Sequence, residues 1–209
     1  MRKTKIVNLR SFNILSYFGK NRIVLLLSFM FIAGVTLGTV MYAKNSGAQM
    51  FAGKIYDIYF SGKLNSSFII SALKWFAVLF AVSALFFISG TSMMGIVTVP
   101  LSLFAVGFIL GDFSAFMYSL YSIKGVAFNA VIFIPPMLIF LITLITVCKC
   151  TLNFSYTIVK LTYNKSVAKN LSTDFKIYCG KYLILLAASL ISALTDAALN
   201  NFFLKFFEF

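Results

Sequence analysis

Few residues in this 209-residue chain can do chemistry. It has no His, only five Asp and Glu, and three Cys. Without His the commonest metal ligand and the commonest neutral-pH general base are missing. Cys148, Cys150 and Cys179 lack the second ligand pair that a tetrahedral zinc site needs, so no metal and no cofactor is expected. The sharpest candidates are Asp112 and Asp196, which sit in apolar surroundings. Acids inside a membrane are candidate functional residues, and two facing aspartates could share a proton as a protease dyad. However, Leu110 stands two residues before Asp112, where the Gly-x-Gly-Asp signature of membrane aspartyl proteases needs Gly. A serine protease that relies on His is excluded, and no Walker or dinucleotide motif occurs. No catalytic residue is assigned, and the chain is not expected to be an enzyme. An Asp at a helix end near the membrane surface is the plainer reading of both positions.

The elements that position these residues follow from composition. Hydrophobic residues make up 61% of the chain and charged residues 11%, against about 25% charged in soluble domains, which is too little polarity to cover a water-facing surface. A crossing helix needs about 20 mostly apolar residues. Runs near 23–42, 68–88, 93–110, 126–147 and 182–199 meet that need. The expected fold is all-α, a single polytopic membrane helix bundle of about five spans. The first run is read as retained, because it is too long for a cleaved signal. The apolar stretch 113–121 is too short to cross, so it extends the third helix or is re-entrant. The patch 89–92 separates the second and third spans.

Charge sets the expected orientation. Twelve of the 18 Lys and Arg residues flank the first span on its N-terminal side or lie between spans four and five. Cytoplasmic flanks carry such an excess, which puts the N-terminus inside and, with five spans, the C-terminus outside, in the plasma membrane. The net charge of +13 then has membrane lipid as its partner rather than nucleic acid, since no basic stripe interleaves with aromatics on a soluble module. Cys148 and Cys150 face the reducing side, so no disulfide is expected. Trp75, beside Lys74, reads as an interface anchor.

Several residues within the spans are not inert. Gly34 and Gly38 lie one turn apart, as do Gly107 and Gly111, and small residues at i and i+4 let helix backbones approach closely. Pro135 and Pro136 fall mid-span. Each lacks a backbone donor and clashes one turn back, which predicts a kink or break whose freed carbonyls face protein or water. The external loop 43–67 holds Ile55, Tyr56, Ile58, Tyr59 and Phe60, read as a short amphipathic helix along the outer interface and as a candidate partner-docking segment. The connector 149–181 reads as an amphipathic cytoplasmic extension of span four, ending near 170–173 and leading into span five.

These positions together resemble a known family. Gly34-Val35-x-x-Gly38 is similar to the Gly-Val-x-x-Gly of the stage II sporulation protein M family, and Gly90, Gly95, Gly107, Gly111, Gly125, Pro135 and Ser155 follow at that family's spacing. The chain departs from the pattern at Val106, where the family has Lys, at Pro100, a displaced proline, and at Pro136-Met137, where the family has Gln-Asn. The resemblance covers spans one to four. It implies a non-enzymatic scaffold in the mother-cell membrane at the sporulation septum, which localises the wall-degrading stage II sporulation proteins P and D for septal wall thinning and forespore engulfment. The alternative is a membrane subunit of a transporter or ABC-type exporter, with the Pro135 kink as hinge. Whether the chain forms a homo-oligomer stays open.

Overall fold

The structure, a computed structural model, describes residues 22–60, 67–163 and 171–203. These residues are helical except at Asn45, Ser67 and the turn 91–94, and no strand occurs among them. The helices are α1 (Arg22–Lys44), α2 (Ser46–Phe60), α3 (Phe68–Gly90), α4 (Gly95–Phe128), a π-turn (Asn129–Phe133), α5 (Ile134–Tyr163) and α6 (Leu171–Phe203). Four helical stretches are long and apolar enough to cross a bilayer: Arg22–Lys44, Phe68–Gly90, Gly95–Thr162 and Leu171–Phe203. The chain is thus an all-α, membrane-embedded helix bundle.

The third stretch has 68 residues and would measure about 100 Å if straight, against a hydrocarbon core of about 30 Å. It is not straight. Ser122 has φ 50° and ψ −126°, the geometry of the first central residue of a II′ turn. The chain reverses there so sharply that a side chain at Gly125 would collide with the Met117 carbonyl. The stretch 113–121 therefore continues the third helix, and the connection to the fourth is a tight turn. The limb before Ser122 is about 40 Å long, so it overruns the hydrocarbon core by roughly a third.

The two glycine pairs interlock with each other. Side chains at Gly34 and Gly38 would meet the carbonyls of Phe104 and Phe108, and side chains at Gly107 and Gly111 would meet those of Phe31 and Val35. The register rises together on both helices, so α1 and the first limb of α4 run parallel. This is the most extensive helix–helix interface in the bundle. All five crossing segments meet in one apolar core, through Leu27, Phe86, Leu103, Phe140 and Leu185.

The structure refines several expectations. Of the kink or break expected at Pro135-Pro136, the break does not occur. Five residues before the prolines wind as a π-turn, with the Ile134 amide donating to the Asn129 carbonyl, and the helix then runs on to Tyr163. A wider turn accommodates the missing donors without interrupting the helix. The last helix starts at Leu171, well before the apolar run near 182, so the last third of the expected connector belongs to α6. The predicted connector end near 170–173 falls partly within 164–170, outside the described residues. Trp75, expected as an interface anchor, is half-buried, and its ring packs 6.1 Å from that of Phe133.

Candidate functional site

At the end of the bundle formed by the Ser122 turn, α2 lies against the overrunning limb of α4. Asn45 Oδ1 accepts the Gly47 amide at 2.9 Å, which satisfies one of the donors left free at the start of α2. Gln49 Nε2 donates to the Tyr42 carbonyl at 3.1 Å, tying α2 back to α1. Ala52 is fully buried. The ring of Phe116 is the post for this arrangement, edge-on to Tyr42 at 6.2 Å and 5.4 Å from Tyr56. Tyr56 and Tyr121 hydroxyls lie 2.8 Å apart, and the Tyr42 and Ser119 hydroxyls are also bonded. Burial and the Tyr121 hydroxyl push the Tyr56 phenol above its ordinary range, because both disfavour the phenolate.

This packing divides the expected docking segment. Ile55 and Tyr56 are half-buried and turn toward the cluster of Phe113, Met117 and Phe128; of the expected contact residues these two lie on the face that helical periodicity turns to the bundle. Ile58 points out, 71% exposed, and Met50, Phe51, Lys54 and Asp57 share its exposure. Met50 and Phe51 were missed by the sequence reading, although their i, i+7 and i, i+8 spacing to Ile58 marks a common helix face. Tyr59 and Phe60 close α2, and their side chains lie outside the described residues. The basic segment 2–20 and the tail 204–209 also lie outside.

One turn below Phe116 on the same face of α4 sits Asp112, which is 0% exposed. Its backbone amide lies against Gly38. Neither carboxylate oxygen has a hydrogen-bond partner among the described residues. Asp196 is equally buried, but it sits on α6, and its carbonyl accepts Asn200 Nδ2 at 2.7 Å. The two carboxylates share no hydrogen bond, which a proton-sharing dyad needs. Near the π-turn, Asn129 Nδ2 donates to Ser114 Oγ at 2.8 Å, and Ser192 Oγ donates to the Pro136 carbonyl at 2.6 Å. Polar contacts thus anchor the prolines' segment to its neighbours on both sides. The hydroxyls of Thr143 and Thr146, further along α5, bond back to their own helix.

At the opposite, lysine-bearing end, Gly90, Gly95 and Ser155 come together. Ser155 Oγ lies 2.9 Å from the Gly90 carbonyl and 3.1 Å from that of Ser92, and a side chain at Gly95 would strike that hydroxyl. A side chain at Gly90 would strike Thr151 and the Tyr178 hydroxyl. Tyr178 is stacked between Phe87 at 5.2 Å and Phe154 at 4.7 Å, and its hydroxyl donates to the Phe87 carbonyl at 2.7 Å. This locks α3, α4, α5 and α6 where the 91–94 turn leaves backbone carbonyls exposed. Thr151, Phe154 and Tyr178 went unread in the sequence because they come from the connector. Cys148, Cys150 and Cys179 are free thiols. No family model matches this chain, and no curated protein or solved structure matches it either.

Proposed function

We propose that the protein is a non-catalytic membrane scaffold that uses the outward face of α2 to position enzymes of the cell wall. The observation that carries this reading is the clamping of α2. A 15-residue amphipathic helix is held at one end of the bundle by Phe116 and the Tyr56–Tyr121 pair, while Met50, Phe51 and Ile58 are left uncovered. A pre-positioned apolar face needs little ordering on binding, so more of the contact energy appears as affinity. Under the positive-inside rule the end that adjoins the basic segments 2–22 and 149–181, which hold 12 of the 18 Lys and Arg residues, faces the cytoplasm, and α2 at the other end then faces the wall.

The spacing shared with the stage II sporulation protein M family gives the partners of this reading. They are the wall hydrolases, stage II sporulation proteins P and D, at the septal membrane of the mother cell during wall thinning and engulfment. Support comes from the packing roles of the shared positions: Gly34, Gly38, Gly107 and Gly111 in one interface, and Gly90, Gly95 and Ser155 in another. The test is affinity purification of the full chain from sporulating cells, with Ile58→Asp in parallel. Recovery of those hydrolases with the wild type and their loss with Ile58→Asp is expected. Wild-type protein that brings down no wall hydrolase refutes the proposal.

A transport reading has one observation in its favour. Asp112 is buried, with no hydrogen-bond partner for either oxygen among the described residues, and buried intramembrane acids occur along ion and proton paths. An ATPase gene adjacent to this one, together with export abolished by Asp112→Asn, would favour it over the scaffold.

A further inference from the structure

A groove runs between α3 and α6 in the half of the bundle nearer its lysine-bearing end. Phe80, Ser83, Ala84 and Phe87 form one wall; Cys179, Tyr182, Leu183 and Leu186 form the other. Its volume is about 360 Å³, within the roughly 300–1,000 Å³ range of ligand pockets. The two hydroxyls in its walls are turned away and already bonded. Ser83 Oγ donates to the Leu79 carbonyl at 2.8 Å. Tyr182 donates to Thr151 Oγ1 at 3.0 Å, since the Thr151 proton is taken by the Val147 carbonyl. Apart from the Cys179 sulfur the surface inside is therefore carbon, and an apolar occupant fits it without leaving polar groups unsatisfied.

Two further features select among apolar occupants. Leu183 and Phe80 are exposed on the rim, so the groove opens sideways into the bilayer. Along α3 from Phe80 to Phe87 it extends about 10 Å, most of one leaflet's hydrocarbon depth of roughly 15 Å. One turn below Cys179 on the same face of α6 is Lys176, which is exposed. Lys176 thus presents an exposed ammonium at the foot of the groove, on the side where cytoplasmic-leaflet headgroups lie under the positive-inside rule. We infer that this groove binds an acyl chain of an anionic glycerophospholipid of the adjacent leaflet, with Lys176 holding its phosphate. The inference is independent of the scaffold reading.

The test uses the full chain in vesicles. Trp75 is the chain's one tryptophan, so Trp75→Phe with Leu183→Trp reports from the groove. Trp75→Phe with Ile142→Trp reports from an exposed position on α5. Brominated phosphatidylglycerol is titrated into phosphatidylcholine and compared with brominated phosphatidylcholine. At Leu183→Trp, half-maximal quenching is expected at about fivefold less phosphatidylglycerol than phosphatidylcholine. Lys176→Gln should remove the preference, and Ile142→Trp should never show it. In native mass spectrometry the unmodified protein should retain phosphatidylglycerol after detergent exchange, and Ala84→Trp, which fills the groove, should lose it. Equal quenching by both lipids overturns the inference. So does a preference that survives Lys176→Gln. A reporter that neither lipid reaches would mean that a protein surface, such as a second copy of the chain, covers the groove, which also overturns it.

Discussion

The interlocked glycines make a prediction whose size follows from the packing distances. A Cβ at Gly111 would strike the Val35 carbonyl oxygen and lie 2.9 Å from its carbon and 3.0 Å from Val35 Cα. Carbon atoms prefer about 3.5–4.0 Å. All three obstacles are main chain, so no side chain can swing aside and the helices must part. A gap of about 0.5–1 Å forfeits a quarter to a half of the dispersion attraction across it. Adding overpacking strain of about 1–3 kcal/mol, Gly111→Ala should cost on the order of 2 kcal/mol, or about 4–8 °C of melting temperature for a chain of this size. Gly180 is the matched control, because a Cβ there meets nothing within 4 Å. Gly180→Ala should be neutral or slightly stabilising. Gly34→Ala combined with Gly111→Ala should cost less than the sum of the two, since the helices part only once. The assay is thermal unfolding in detergent. A Gly111→Ala protein that melts with the wild type and with Gly180→Ala would refute the account.

The remaining predictions test other joints. Ser122→Gly should stabilise by about 1 kcal/mol, because a positive φ strains any residue with a Cβ; an unchanged or lowered melting temperature counts against the tight turn. Ser155→Ala should cost about 1–2 kcal/mol through loss of its bonds to the 90–92 carbonyls, measured in the same assay. Tyr56→Phe should speed hydrogen exchange along α2 while leaving α3 and α6 unchanged, since it removes the bond to Tyr121. For pH, the raised Tyr56 phenol favours the folded, neutral form. Its contribution is full below the unfolded value of about 10 and is lost as pH rises beyond it. The protection of α2, taken relative to the base-catalysed intrinsic exchange rate, should therefore fall above about pH 10, and Tyr56→Phe should remove that fall.

By itself the sequence determined the class of fold. Helices must satisfy their own backbone groups in lipid, so long uncharged runs such as 23–42 can be little else. The small residues were legible too, because Gly at i and i+4 leaves a bare stripe whatever it meets. Partner and direction were decided only by tertiary structure: nothing in Gly34 and Gly38 names Gly107 and Gly111, since a glycine has no side chain to encode complementarity. At Pro135-Pro136, local chemistry specified missing donors, but whether the helix breaks or widens depends on neighbours such as Ser192 that secure the segment. The face of α2 was lost in the sequence for a related reason. Apolar and aromatic residues occur on both its sides, and only Phe116 and Tyr121, over sixty residues away in sequence, choose which side is covered. Asp112 likewise reads as a surface acid until α1 and α4 close around it.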